Sequence, residues 1–250
     1  MRFEERLKEK FLYSKGKNFF KSIYFIIQKL KKNKHRKISY SGGAIDLIIE
    51  HYFRNKAKGI YIDVGAYHPV MGNNTFKLFN KGWSGINIDL DFHTIDILNN
   101  FRPNDENIIA AVSDKIEKKK LYFHHNRSAI NTLEKSKGGK SKEIREVTTN
   151  TLNNIIENSK YKDSEIDFIS IDVEGHEMKV VKGFDLEKYS PKIVVIEHQD
   201  LDMKKEEFHN QNIEKIIKSN IYNHMISRNY ALVNWLHADL VFINKNLQDS

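Results

Sequence analysis

Cysteine is absent from this chain of 250 residues. Its absence excludes a disulfide framework, a thiolate zinc site and a cysteine nucleophile, and it is typical of proteins in a reducing compartment. No apolar run is long enough to span a bilayer. The first ten residues include three glutamates and no apolar core, so they make a poor secretion signal. We therefore expect a cytoplasmic protein.

Positive charge is concentrated in the first 37 residues. They contain 13 Lys or Arg and three Glu, a net charge of +10, whereas the whole chain carries +8. The rest of the chain is therefore slightly acidic, with a net charge of −2. A nucleic-acid groove across that part is not expected, because such grooves are basic.

The basic tail also has a helical pattern. Its apolar residues recur at helical spacing among lysines: Phe19, Phe20, Ile23, Ile26, Ile27 and Leu30. Such a helix either packs its apolar stripe on the domain, which is the commoner case, or lies on an anionic membrane surface. We predict a basic helical extension over residues 1–40, with peripheral contact at the inner face of the membrane as the alternative to packing, and one folded domain over residues 41–250.

Strands and helices alternate from Gly59 onward. The apolar pattern predicts strands near residues 60–64, 85–88, 108–112, 167–171 and 192–196, and a closing hairpin at 231–235 and 240–243. A further strand is predicted at 121–124, a polar loop at 135–142 and one long helix at 208–228. This order predicts a three-layer α/β domain with a mostly parallel sheet.

Polar residues follow the first three strands of this sheet. Asp63 and Gly65 end the first strand, Asp89 ends the second, and Ser113 with Asp114 ends the third. A glycine lets a ligand approach the backbone, and an acid about 20 residues later is placed to bind ribose hydroxyls. Each residue alone could be an ordinary cap or turn, but three in order favour a nucleoside-containing ligand.

The glycine pattern narrows the choice of nucleoside. Dinucleotide sites use G-x-G-x-x-G to seat a pyrophosphate, but Gly65 is followed by Ala66, Tyr67, His68 and Pro69. A P-loop is absent as well. A nucleoside without a pyrophosphate fits better, which favours S-adenosylmethionine.

The fourth strand runs directly into a polar cluster. After the apolar residues up to Ile171 come Asp172, Glu174, His176 and Glu177, and helical spacing then resumes. A structural turn needs one glycine and one cap, not three carboxylates and an imidazole. Open α/β sheets bind their ligands at such strand ends.

Six segments together resemble one family. They are IDVGAYHP (62–69), NNT (73–75), KGWSGINID (81–89), AVSD (111–114), DFISIDVEGHEMKVVKGF (167–184) and KIVVIEH (192–198). In order and wording they resemble the FkbM-type S-adenosylmethionine-dependent O-methyltransferases, from about Gly59 to His198. The resemblance implies a Rossmann-like class I methyltransferase fold with a mostly parallel seven-stranded sheet and an antiparallel C-terminal strand. It also implies that the acceptor is a hydroxyl, and the wording is similar to bacterial members linked to surface polysaccharide.

The resemblance also implies roles for single residues. Asp63, Gly65 and Ala66 would lie at the methionine end of the cofactor, Asp89 would hold the ribose, and Ser113 and Asp114 would lie near the adenine. Asn74 and Thr75 would support the cofactor or its loop, and Asp172 completes the cofactor-binding set.

Methyl transfer to a hydroxyl requires that the acceptor lose a proton. A sugar hydroxyl is about as weak an acid as water, whose pKa is about 15.7, so a general base helps. His176, four residues past Asp172, is the candidate base, with Asp172 and Glu174 as catalytic partners. The alternative is that His176 only begins a helix and faces solvent.

A metal ion is the other way to activate the acceptor. Asp172 ends the fourth strand, and Glu197 and His198 end the fifth, so the three would meet at one sheet edge. Carboxylates and an imidazole can hold Mg²⁺ or Mn²⁺ with positions left open for substrate. The alternative is that these carboxylates bond backbone amides and bind no metal.

Three functions remain after this reading. The leading one is methylation of a sugar hydroxyl, on a nucleotide sugar or on a precursor of a capsular or surface polysaccharide. The second is an RNA or protein methyltransferase anchored by the basic tail. The third is a non-catalytic module with the same fold. The sequence leaves the oligomeric state open.

Overall fold

The computed structural model describes residues 37–198 and 207–247, together with Lys205 and six positions of the tail. Most of the predicted basic helix therefore lies outside the described residues. The chain divides into two compact units, Met1–Ile38 and Ser39–Ser250. Across the described residues, no helix has both the length and the apolar character needed to cross a membrane.

The second unit is built on a seven-stranded sheet. The strands of the unit are, in chain order, β1 (Ile60–Val64), β2 (Ser84–Asp89), β3 (Glu106–Ile109), β4 (Ala111–Val112), β5 (Lys118–Phe123), β6 (Glu143–Asn150), β7 (Phe168–Ile171), β8 (Ile193–Glu197), β9 (Tyr230–Leu236) and β10 (Asp239–Asn244). The order in the large sheet is β3-β2-β1-β7-β8-β10-β9. The first five of these strands are parallel neighbours, and β10 is antiparallel to both β8 and β9. The predicted seven-stranded sheet with an antiparallel C-terminal strand is confirmed.

Nine helices are described around the sheets: α1 (Ile45–Tyr52), α2 (Phe76–Asn80), α3 (Phe92–Phe101), α4 (Leu152–Glu157), α5 (Glu177–Lys182), α6 (Leu186–Tyr189), α7 (Glu207–Asn210), α8 (Ile213–Lys218) and α9 (Asn220–Ser227). Side chains of the central strands are buried alternately in two apolar clusters. Ile62 packs with residues of α4, α5 and α9, whereas Tyr61 packs with residues of α1. This double burial explains why the central strands read as continuous apolar runs, and it gives the predicted three layers.

Two of the predicted elements are divided in the structure. The third predicted strand is broken at Ala110, and its second part, β4, leaves the large sheet to pair with β6. The predicted helix over 208–228 is three helices, because Asn212 and Ser219 cap new ones. The side chain of Asn212 accepts bonds from the first turn of α8, and Ser219 accepts one from Tyr222 in α9.

A second, smaller sheet contains a strand that the sequence analysis missed. Strand β6 pairs with β5, the strand predicted near 121–124, and with β4. Most of its side chains are exposed, so its sequence lacks the apolar alternation by which strands are recognised. The chain between β5 and β6, residues 124–142, reaches the carboxyl edge of the large sheet.

Candidate functional site

A cavity with about 820 Å³ of empty space, part of it open to solvent, lies at the carboxyl ends of β1, β2 and β7. Five of the predicted site residues line it: Gly65, Asp89, Asp172, Glu174 and His176. Side chains of the 124–142 segment line it from another side, among them Asn131 and Thr132. The other predicted site residues do not line this cavity.

Gly65 makes the turn after β1, and no other residue fits there. Its φ is +86°, a conformation that L side chains avoid. A Cβ at this position would lie 1.7 Å from the carbonyl oxygen of Asp172. The backbone at the end of β1 therefore touches the backbone at the end of β7, and this contact closes the floor of the cavity.

Asp63 lies under the loop that follows Gly65. Its side chain is buried, and its Oδ2 accepts hydrogen bonds from the amide of Asn73 at 3.0 Å and the hydroxyl of Thr75 at 2.8 Å. Burial raises the pKa of Asp63. Asn73 also donates to the carbonyl of Ala66 at 3.3 Å. Asp63 and Thr75 thus hold the loop in shape, and neither lines the cavity.

Ala66 and Asn74 have separate neighbours. Ala66 is buried in a small apolar cluster with Ile95 and Leu98 of α3. The amide of Asn74 donates to the hydroxyl of Ser170 at 3.0 Å, so this side chain ties the loop to β7. The loop is therefore attached both to a helix and to a central strand.

The guanidinium of Arg102 completes this support and was not found from the sequence. Arg102 is fully buried. Its two terminal nitrogens donate to Thr75 Oγ1 at 2.8 Å, Asn73 Oδ1 at 2.9 Å and the carbonyl of Pro69 at 2.5 Å. An arginine just after a polar helix reads as a surface residue, so no pattern in the sequence marks it.

Asp89 lines the cavity at the end of β2. One carboxylate oxygen accepts the backbone N–H of Tyr67 at 3.0 Å, and the other accepts that of Asp91 at 2.8 Å. Burial raises the pKa of Asp89 to about 6. The two amide bonds fix the orientation of the carboxylate, which leaves its remaining lone pairs for a ligand hydroxyl.

His176 joins the two sides of the cavity. Its Nε2 lies 2.9 Å from the hydroxyl of Ser113, and its Nδ1 lies 2.5 Å from Glu134 Oε1. The ring is buried rather than facing solvent, and burial lowers the pKa of His176. Ser113 also donates to Asp114 at 3.1 Å. Glu134, a residue of the 124–142 segment, carried no signal in the sequence.

The segment between β7 and α5 is a strained loop held by Glu177. Glu174 and Gly175 both have positive φ, at +57° and +98°. Glu177 Oε1 accepts the backbone N–H groups of Val173 at 3.1 Å and Gly175 at 2.8 Å. Burial raises the pKa of Glu177 to about 7. Thr132 adds a bond from its hydroxyl to the carbonyl of Glu174, at 2.9 Å.

Three carboxylates meet beside the cavity. Oxygen atoms of Asp172, Glu177 and Glu197 all lie within 4.8 Å of one another. The residue Asp172 is exposed, but protein surrounds its carboxyl group, and this removal from water, together with the charge of Glu197, raises the pKa of Asp172 well above its ordinary value. Asp239, paired opposite Glu197, has a pKa raised to about 6, first by burial and then by Glu197.

The predicted metal set is only partly brought together. Asp172 and Glu197 are joined by Glu177, and three hard oxygen donors are the type that Mg²⁺ and Mn²⁺ prefer. His198 is not in this group. It follows the last residue of β8 and borders a separate small pocket with Asn212 and Trp235.

Residues 63–223 of this chain match the protein family described as Methyltransferase FkbM domain. No curated protein matches the chain significantly. Among solved structures, a protein of Pyrococcus horikoshii provisionally described as an RNA methyltransferase aligns with 11% identity, 90% of this chain, 97% of that chain and a TM-score of 0.38. The family match covers more than half of the chain, including Gly65 and the carboxylates near Asp172, and the chain therefore belongs to the FkbM methyltransferase family.

Proposed function

We propose that this methyltransferase uses S-adenosylmethionine to methylate a hydroxyl of a sugar. The observation that carries the proposal is the single cavity that joins Gly65 and Asp89, at the ends of β1 and β2, to Asp172 and Glu174 beyond β7. The first pair suits a nucleoside with an amino-acid tail. Asp172 and Glu174 supply proton acceptors near the position where the methyl group would leave the sulfur.

The cofactor is held by residues at the first three strand ends. Asp89 accepts the ribose hydroxyls, and Gly65 allows the methionine end to approach the backbone. Asp63 and Thr75 act from below, through the loop they bind. Ser113 and Asp114 adjoin the adenine end, where Ser113 is tied to His176.

The transfer is an in-line displacement. The methyl carbon forms a bond to the acceptor oxygen while its bond to sulfur breaks, and sulfur keeps the electron pair, which leaves neutral S-adenosylhomocysteine. The acceptor proton passes to the carboxylate of Asp172. Burial and the neighbouring charge of Glu197 raise the pKa of Asp172, which makes this carboxylate a stronger base for that proton. Positioning the hydroxyl in line with the sulfonium provides much of the rate enhancement.

His176 has a supporting part in this scheme. Both of its ring nitrogens are engaged, by Ser113 and by Glu134, so it would have to break one of these bonds before it could act as the base. We propose that it positions the 124–142 segment against the cavity. Glu174 lies beside the acceptor hydroxyl and completes the acidic rim.

A divalent cation is a second element of the proposal. Mg²⁺ or Mn²⁺ would bind Asp172, Glu177 and Glu197 and would make the acceptor hydroxyl more acidic. Without the ion, the proton taken from the acceptor is held by the same group of carboxylate oxygens. Binding of Mn²⁺ can be followed by the paramagnetic broadening of proton signals, with Glu197→Gln expected to abolish it.

The partner is a nucleotide sugar or a glycan precursor, and we expect no nucleic acid. Conversion of a panel of sugars by the full chain, with methyl-labelled S-adenosylmethionine, tests the proposal. Asp172→Asn should lower turnover by about 10²–10⁴-fold, whereas Asp163→Asn, at an exposed residue that precedes β7 and does not line the cavity, should not. Labelling of RNA or protein instead, lost when residues 1–37 are deleted, would favour the tail-anchored alternative. Cofactor binding without any turnover would favour the non-catalytic one.

A further inference from the structure

Tyr67 is an unusual residue for its place in the loop after β1. Its φ is +43°, and it is the centre of a three-residue turn in which the N–H of His68 donates to the carbonyl of Ala66 at 2.5 Å. Such a turn with a positive central φ is rare and strained, and a bulky residue rarely adopts it. Counted from Gly65, position 67 is where the G-x-G-x-x-G pattern has its second glycine. A tyrosine where glycine would relieve the strain indicates that its side chain has a function.

Tyr67 also lies at the cavity and is open to solvent. It lines the cavity together with Gly65 and Asp172, and it is 40% exposed. An aromatic ring beside a few polar groups is the usual composition of a small-molecule site. A ligand bound next to Asp172 therefore has an aromatic surface in the same cavity against which it can pack.

The loop holds Tyr67 in place before any ligand binds. Its N–H donates to Asp89 at 3.0 Å, and the ring of His68 lies beside its ring, with centroids 6.4 Å apart. Nδ1 of His68 in turn accepts the N–H groups of Val70 at 3.1 Å and Met71 at 2.9 Å. The buried guanidinium network beneath the loop holds the same stretch of backbone. A binding group fixed in this way loses little conformational entropy when a ligand binds.

We propose that the ring of Tyr67 binds the acceptor sugar by packing against its C–H face. One face of a pyranose ring consists largely of C–H groups, which pack on an aromatic ring. The hydroxyls project from the edge of the sugar, so one of them can point to Asp172 while the face is covered. The acceptor is then a cyclic sugar that presents such a face, not an open-chain alcohol. This inference rests on the proposed function for its acceptor, but the binding it describes needs neither turnover nor cofactor.

Direct binding of sugars to the full chain tests the proposal. Methyl β-galactoside, methyl β-glucoside and the open-chain sorbitol are titrated by ligand-observed magnetic resonance, with and without S-adenosylhomocysteine. We expect both glycosides to bind at least about tenfold more tightly than sorbitol. Tyr67→Leu removes the ring and should weaken both glycosides by about three- to tenfold, the size of one aromatic contact, whereas Tyr67→Phe keeps the ring and should bind them as the wild type does. Binding of neither glycoside, or equal binding of sorbitol, would overturn the proposal.

Tyr52→Leu is the matched control, because it removes a tyrosine ring of similar exposure, 44%, from a residue of α1 that does not line the cavity. It should leave sugar binding unchanged, and equal unfolding midpoints in urea establish that the variants are folded. The calorimetric affinity for S-adenosylhomocysteine should change by less than about twofold in Tyr67→Leu. A larger loss would assign the ring to the cofactor and contradict the proposal, as would wild-type sugar affinity in this variant. Glycoside binding that depends on Tyr67, in a protein that does not bind S-adenosylhomocysteine, would count against the proposed function alone.

Discussion

Replacing Arg102 by Met removes a guanidinium that supports the loop after β1. The native side chain donates to Thr75, Asn73 and the carbonyl of Pro69. Met fills similar volume but supplies no donor. The nearby buried carboxylate of Asp63 loses a counter-charge at the same time. Removing one partner of a buried charged network costs about 3–5 kcal/mol, and part of this is recovered when Asp63 takes up a proton.

We therefore expect Arg102→Met to lose about 2–4 kcal/mol of unfolding free energy at neutral pH, measured by urea denaturation. Arg54→Met is the control, because Arg54 is exposed and its guanidinium lies 3.3 Å from His51 Nε2, which is also exposed. It should change stability by less than about 0.5 kcal/mol. The destabilisation of Arg102→Met should shrink as the pH falls, since a protonated Asp63 needs no cation. A loss below about 1 kcal/mol would refute the role given to this network.

Three further predictions concern single residues of the site. Gly65→Ala should lose more than about 2 kcal/mol of unfolding free energy, measured in urea. Gly82→Ala, with a similar φ of +89° but open space where a Cβ would lie, should lose only about 1–2 kcal/mol. Equal losses would show that the contact between a Cβ at position 65 and Asp172 has no measurable cost. The affinity for S-adenosylhomocysteine, measured calorimetrically, should fall as the pH falls through about 6, where Asp89 loses its charge, by at most about tenfold per pH unit. Asp89→Asn should bind weakly at every pH, and a variant that kept the pH dependence would exclude Asp89 as its source. Because the pKa of Glu177 is raised from 4.5 to about 7 in the folded protein, its ionisation opposes folding above pH 4.5, and the full cost is reached above about pH 7. Glu177→Gln should therefore stabilise the protein by about 2–3 kcal/mol at pH 8 and not at pH 4.5. A gain in stability that did not depend on pH would contradict this.

The positions of the central strands along the chain could be predicted, because parallel central strands are buried on both faces and leave uninterrupted apolar runs. The ends of those strands could be predicted too, since Gly65, Asp89 and Asp172 interrupt the runs abruptly. Support from outside the strands could not. Arg102 acts across 27 residues to reach Thr75, and Glu134 reaches His176 from a segment with no regular pattern. Such contacts depend on how loops fold back, which local periodicity does not encode.

The end of β8 explains why only two of the three predicted metal ligands come together. Glu197 is the last residue of β8, whereas His198 follows the strand and borders a different pocket. Glu177 takes the third position instead, and its sequence pattern is that of an ordinary acidic residue in the first turn of a helix. The helix over 208–228 was predicted as continuous because its apolar spacing persists, whereas the side chains of Asn212 and Ser219 begin new helices.

The most direct test of the account is calorimetric titration of the full chain with S-adenosylhomocysteine. If the cavity between Gly65 and Asp172 binds this nucleoside, the dissociation constant should be near 1 μM, about −8 kcal/mol. Asp89→Asn should weaken it, and Asp163→Asn should not. No heat of binding for a protein shown to be folded would contradict the cofactor assignment, and with it the proposed methylation of a sugar.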